Sequence, residues 1–177
     1  SKKKPIVVLK GGLSERGEKA TLSHTGSLAG KKEVYFGIFN QTGLIRADTL
    51  EEMFNIASLF GKGVSFNGNR IQIITNGGGY GIIATDNIVA AKNLEMAEFS
   101  KESVKELKKV FSKNVSVSNP LDLVADANTG SYKIALDACI KDNNIDGILL
   151  IALYQTPLLT TDVVEVISEA HRQTKKP

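Results

Sequence analysis

The sequence predicts an α/β protein of two related units, each a mainly parallel sheet with helices on both faces. Three observations point there. Continuous apolar runs rich in β-branched residues, at Ile6–Lys10, Ile71–Thr75 and Asp146–Ala152, have the character of strands buried on both faces. Segments with helical periodicity alternate with such strands, the pattern of a parallel sheet covered by helices. Gly61-Lys62-Gly63 and Asn67-Gly68-Asn69 then bracket a linker at 63–69, which divides a first unit, 1–62, from a second, 70–177.

Each element has its cause in local chemistry. After the first strand comes a glycine- and hydroxyl-rich stretch, Gly11 to Gly30, read as loop. Lys31–Gln41 places Val34, Tyr35, Ile38 and Phe39 on one helical face, with Gly43 as the stop. Leu44–Arg46 is a short strand. Asp48 or Thr49 caps a helix through Phe60, and Glu51 and Glu52 suit its first turn. In the second unit, strand Ile71–Thr75 leads through Asn76-Gly77-Gly78-Gly79 into a helix over Gly81–Lys92. Leu94–Ala97 is a strand, Lys101–Phe111 an amphipathic helix, and Asn119-Pro120-Leu121-Asp122 a loop. A helix near Tyr132–Lys141, the strand Asp146–Ala152 and a helix at Thr161–Gln173 complete the chain. The first unit offers only two strands, fewer than a sheet usually needs to bury itself. The chain opens on Lys3-Lys4-Pro5 before a strand and closes on Lys175-Lys176-Pro177. The expectation is that both units are truncated, the first lacking its front and the second its last strand.

Bulk properties narrow the function. The chain has 177 residues, 42% of them apolar and 23% charged, a globular composition. No apolar run approaches the ~20 residues that span a bilayer, and Lys10-Gly11-Gly12 ends the first one too early for a signal peptide. A cytoplasmic protein without membrane partners is expected. A net charge of +3, scattered lysines and the absence of Trp argue against a nucleic-acid surface. The single cysteine, Cys139, excludes an internal disulfide and reads as a buried thiol. His24 and His171 are far apart, no metal set is visible, and His171 beside Arg172 reads as solvated.

Three motifs remain. In Ser23-His24-Thr25-Gly26-Ser27-Leu28-Ala29-Gly30 small neighbours let an anionic group approach the imidazole, while hydroxyls and backbone N–H groups supply donors. An imidazole nitrogen is nucleophilic near neutral pH. The competing reading is a surface-loop histidine that bonds its neighbours. In Asn76-Gly77-Gly78-Gly79-Tyr80-Gly81 glycines between strand and helix allow close approach of a phosphate to a helix N-terminus. A tight turn with no ligand is the alternative; the spacing is neither the dinucleotide fingerprint nor a Walker A loop. In Asn119-Pro120-Leu121-Asp122 the first pair forms a turn and Asp122 caps the next segment, with a place beside the active site as the minority reading.

Together these segments resemble the NDP-forming acyl-CoA synthetases of the succinyl-CoA synthetase superfamily. Lys4–Gly12 and Ser23–Gly30 look like the end of the family's first succinyl-CoA-ligase-like flavodoxin domain. Asn69–Gly81 and Ser118–Leu123 look like the start and middle of the second. The resemblance implies flavodoxin-like units and the reaction acyl-CoA + NDP + phosphate ⇌ acid + CoA + NTP. It implies a phosphohistidine at His24, phosphate held at Gly26, Ser27, Asn76, Gly77, Gly78 and Gly79, and support from Ser23, Thr25, Asn119 and Asp122. It also implies CoA, phosphate, magnesium and ADP/ATP or GDP/GTP for the complete enzyme, with no cofactor bound by this chain. The implied partners are a CoA-binding domain and an ATP-grasp domain or subunit, in an oligomer; alone, the chain would lack full activity. Two other classes stay open: a CoA- or acyl-CoA-sensing regulatory module of a protein-acetyltransferase-like protein, and a non-catalytic docking module.

Overall fold

The computed structural model describes residues 4–26, 30–63 and 67–177, without the side chain of Thr25. The chain divides into two compact units, Ser1–Val64 and Ser65–Pro177, and the division falls within the glycine-bracketed segment.

In the first unit β1 (Val7–Leu9) pairs in parallel with β2 (Ile45–Ala47). Between them lie α1 (Glu15–Thr25) and α2 (Lys32–Thr42), and α3 (Leu50–Gly61) comes after β2 and packs on both strands. Each helix boundary has a local cause. Gly43 ends α2 at φ 69° and donates its N–H to Phe39 O. Thr49 Oγ1 accepts the Glu52 N–H at 3.0 Å while the Glu52 carboxylate accepts the Asp48 N–H at 2.7 Å. Two expectations are corrected here. β1 is half-buried rather than buried on both faces: α3 packs on the two-stranded sheet and still leaves Val7, Val8 and Leu9 partly exposed. The stretch read as loop contains α1: Ser14 caps it by accepting the Gly17 N–H, Glu15 and Glu18 sit in its first turn, and Gly26 closes it at φ 71°.

The second unit is built on β3 (Arg70–Thr75). The helix α4 (Gly78–Ala90) starts inside the glycine turn, three residues earlier than the sequence pattern suggests. β4 (Glu95–Met96), α5 (Lys101–Val110), β5 (Leu121–Asp122), α6 (Thr129–Lys141), β6 (Gly147–Ile151) and α7 (Val163–Gln173) come next in the chain. All three strand pairings with β3 are parallel. β6 runs beside it from Ile71 to Thr75, while β4 pairs at Arg70–Ile71 and β5 at Ile74–Thr75. The backbone groups of Ile71, Ile73 and Thr75 share one edge of β3: Ile71 O accepts from Ala97 N, and Thr75 O from Leu123 N. Between those two bonds the Asn119 side chain stands in for a strand. Its Oδ1 accepts the Ile73 N–H at 3.0 Å, and its Nδ2 donates to Ile71 O at 2.7 Å and Ala97 O at 3.0 Å.

Alternation along β3 feeds two cores. Ile71 and Ile73 pack with Ala84 and Ile88 of α4. Ile74 packs with Leu121, Leu123, Tyr132, Leu136 and Cys139, part of a larger cluster reaching Val163 and Ala170 of α7. Cys139 is fully buried and burial pushes its thiol up to about 12, so it is an unreactive core residue. At the opposite end of the sheet Arg70 and Asp146 form a two-pronged ion pair, both contacts 2.8 Å. Asp146 Oδ2 also accepts the N–H groups of Asn69 and Arg70. The Arg70 side chain and those N–H groups hold the Asp146 carboxyl well below the usual carboxylate range. No described helix is long and apolar enough to cross a membrane.

Candidate functional site

The glycine turn lies at the carboxyl end of β3, where parallel sheets present ligand sites. Its parts divide into those that look inward and those that look out. Thr75, fully buried, ties the turn to itself: its Oγ1 accepts the Gly77 N–H at 3.0 Å and donates to Gly77 O at 3.1 Å. The Asn76 side chain is also buried. Its Nδ2 donates to Leu153 O at 3.1 Å and Thr156 Oγ1 at 2.9 Å, and its Oδ1 accepts the Leu153 N–H at 2.8 Å and the Tyr132 hydroxyl at 2.9 Å. The amide is therefore a strut between β3, α6 and the segment after β6. The N–H of Gly77 and the side chain of Asn76 are both engaged within the protein.

The helix start faces outward. Gly77 is the N-cap without a side-chain cap, so the first N–H groups of α4, those of Gly78 and Gly79, have no partner within the helix. A Cβ at Gly79 would meet no atom within 4 Å, whereas one at Gly77 would fall 2.0 Å from Leu153 Cδ1. The turn is thus packed on one side and open on the other. An unpartnered helix start with a glycine at its second position suits an anion.

The third motif meets this turn. β5 pairs beside Thr75, so Asp122 comes to the same end of the sheet. Asp122 Oδ1 accepts the Val124 N–H at 2.9 Å, and its Oδ2 stands 3.1 Å from where a Gly78 Cβ would be. Val124 takes φ 57°, an uncommon conformation for a β-branched residue, and its N–H fixes the Asp122 carboxylate in place. Thr75, Gly78, Gly81, Ser118, Pro120 and Asp122 line a cleft of about 360 Å³. Asp122 faces this cleft, while the Asn119 side chain is engaged with β3. The sequence pattern reads Asn119–Asp122 as a loop; the two-residue β5 brings it to the glycine turn.

In the first unit His24 lies in the last turn of α1 and is exposed, as is Ser23. The Gly26 N–H donates to Leu22 O at 2.9 Å, which leaves that amide engaged. Ser27 lies outside the described residues. α2 starts close behind, with Lys31 as an N-cap that makes no side-chain bond to the helix.

Comparison with known proteins connects the two units. Residues 1–60 match the family described as the succinyl-CoA ligase like flavodoxin domain. An ADP-forming acetate–CoA ligase of Methanocaldococcus jannaschii is 44% identical over 127 residues, covering 72% of this chain and 18% of that protein. The alpha subunit of ADP-forming acetate–CoA ligase I of Pyrococcus furiosus is 37% identical over 183 residues, covering 100% of this chain and 38% of the subunit. The chain belongs to the NDP-forming acyl-CoA synthetases. In three dimensions it superposes on the dinucleotide-forming acetyl-coenzyme A synthetase 1 of Ca. Korarchaeum cryptofilum, solved with phosphate and ADP. That match has a TM-score of 0.82 and 30% identity, and covers 95% of this chain and 37% of the other. The chain thus spans less than two fifths of the synthetases it matches. Among the described residues, no group of three or more His, Cys, Asp or Glu is placed to hold a metal.

Proposed function

We infer that the chain is the phosphate-handling section of a synthetase that interconverts acyl-CoA + NDP + phosphate and acid + CoA + NTP. Residues 1–62 are then the C-terminal half of the first succinyl-CoA-ligase-like domain and 70–177 the second. The observation that carries this reading is the 37% identity along the whole chain to the alpha subunit, so that His24 and the glycine turn both fall inside the match.

In this reading a ring nitrogen of His24 attacks the phosphorus of an acyl phosphate. The bond from phosphorus to the acyl oxygen breaks, the carboxylate leaves and phosphohistidine forms. The terminal oxygen of NDP then attacks the phosphorus, the P–N bond breaks, and NTP departs from a regenerated imidazole. Exposure at the end of α1 suits a residue that must meet two partners in turn. The N–H groups of Gly78 and Gly79 and the positive end of α4 hold phosphate oxygens, and Asp122 shapes the adjoining cleft. The CoA-binding domain and the ATP-grasp domain or subunit supply the other substrates, and magnesium accompanies the nucleotide there. A reaction on CoA and nucleotides suits a cytoplasmic protein, in an oligomer, without nucleic-acid or membrane partners.

The test uses the protein together with those partner domains. Given γ-labelled nucleoside triphosphate and magnesium, label is expected on His24, labile in acid, stable in base and discharged by NDP. His24→Ala removes label and turnover while leaving the unfolding profile unchanged, since the residue is exposed and supports no packing. Label on another residue, or normal turnover in His24→Ala, overturns the assignment. The same labelling separates a catalytic section from a sensing or docking module, neither of which forms phosphohistidine.

A further inference from the structure

We propose that Tyr132, which never touches a ligand, is a positioning residue for the phosphate turn: its hydroxyl, acting through Asn76, aims the Gly78 and Gly79 N–H groups outward. The proposal rests on the reading of that turn as the phosphate site.

Tyr132 lies in the first turn of α6 and is fully buried. A phenylalanine would fill the same apolar space, so the hydroxyl needs its own explanation. It lies 2.9 Å from Asn76 Oδ1 and 2.8 Å from Ile151 O, at the point where the ends of β3 and β6 meet α6. The orientation of the Asn76 amide is forced. Nδ2 faces two acceptors, Leu153 O and Thr156 Oγ1, and Oδ1 faces the Leu153 N–H, so Oδ1 accepts and the tyrosine donates, its single proton shared between Asn76 Oδ1 and Ile151 O. Burial raises the Tyr132 hydroxyl above the ordinary phenol range, so it remains a donor at any working pH.

Asn76 immediately precedes the cap residue Gly77, and both are held by the end of β3 and the segment after β6. Thr75 grips Gly77 from within the strand, Leu153 fills the space a Gly77 side chain would take, and Asn76 is locked from below. The far side, at Gly79, is open. Small rotations of Asn76 therefore swing the first N–H groups of α4, and hydrogen bonds to an anion are sensitive to such misplacement.

The test is Tyr132→Phe, which keeps the ring. Three measurements apply to the chain itself: its unfolding curve, the amide resonances of Gly78 and Gly79, and binding of inorganic phosphate by titration calorimetry or phosphorus NMR. Tyr132→Phe is expected to stay folded, to shift both glycine resonances before any ligand is added, and to weaken phosphate binding by about fivefold to tenfold. Thr156→Val, which removes an acceptor from the other side of the same amide, is expected to weaken binding about threefold and serves if the first variant does not fold. A merely structural tyrosine lowers the unfolding temperature but leaves phosphate affinity and glycine resonances where they were; that result overturns the positioning role alone. If the unaltered chain takes up no phosphate and its Gly78 and Gly79 resonances ignore it, the phosphate reading of the turn falls, and the role of Tyr132 with it.

Discussion

A methyl group added at Gly79 separates the two demands on the glycine turn, because it moves stability and ligand binding in opposite directions. Gly79 is the second residue of α4, and a Cβ there meets nothing within 4 Å, so Gly79→Ala introduces no clash. The substitution removes backbone freedom from the unfolded chain, and alanine favours the helix over glycine by about 0.5–1 kcal/mol. For a unit of this size that gain corresponds to a rise of roughly 3–6 °C in Tm. The same methyl leans toward the N-terminal end of the helix, as every helical Cβ does, into the space an anion must enter to reach the Gly78 and Gly79 N–H groups. Loss of one hydrogen bond to a charged ligand costs about 1.5–3 kcal/mol, or at least about tenfold in phosphate affinity. Paired thermal unfolding and phosphate titration of the two proteins check both signs. A variant that is more stable and binds phosphate as well as before shows that the anion does not approach through Gly79. A variant that loses stability shows that the turn is not the open helix start described.

The other end of the sheet supplies two more expected outcomes. Asp146 has a depressed folded-state pKa, so its contribution to stability is complete above the ordinary carboxylate value of about 4 and is lost as pH falls below it; urea unfolding should show the gap between the protein and Asp146→Asn narrowing below about pH 4 and constant above about pH 5. Gly68→Ala should destabilise by roughly 2–4 kcal/mol in the same assay, because φ is 114° there and the new Cβ would stand 2.3 Å from Asp146 Cγ, forcing that carboxylate off Arg70.

Legibility in the sequence tracks the range of the interactions. Ile71–Thr75 is readable because a strand between two layers of helix is apolar throughout, and both faces of β3 do feed cores; Asp146–Ala152 is apolar too and does form β6, but that strand is not buried on both faces as expected, since Leu149 stands exposed. Thr49 is readable as a cap because capping is decided within four residues. α1 escapes the pattern although Ser14, Glu15 and Glu18 at its start and Gly26 at its end are local signals; the glycines and hydroxyls between them weigh as loop formers instead. β5 has two residues and so no period to read. The inward turn of Asn76 depends on Tyr132, Leu153 and Thr156, all more than fifty positions away in the sequence, and nothing beside it announces them.

The helix dipoles give the two features proposed to handle phosphate opposite characters, each within its own unit. A phosphate at Gly78 and Gly79 would meet the positive end of α4 and two N–H groups without helical partners, an arrangement suited to retaining an anion. His24 stands at the other kind of helix end. It lies in the last turn of α1, the negative end of that helix dipole, where the Gly26 N–H is already given to Leu22 O. On the proposed reading, a phosphoryl group on His24 gains no free helix-start N–H from α1, which suits a carrier: tight ground-state binding of the phosphoryl group would raise the barrier to passing it on. On this view the helical placement of His24, weighed in the sequence as loop, fits a transfer residue better than a loop does.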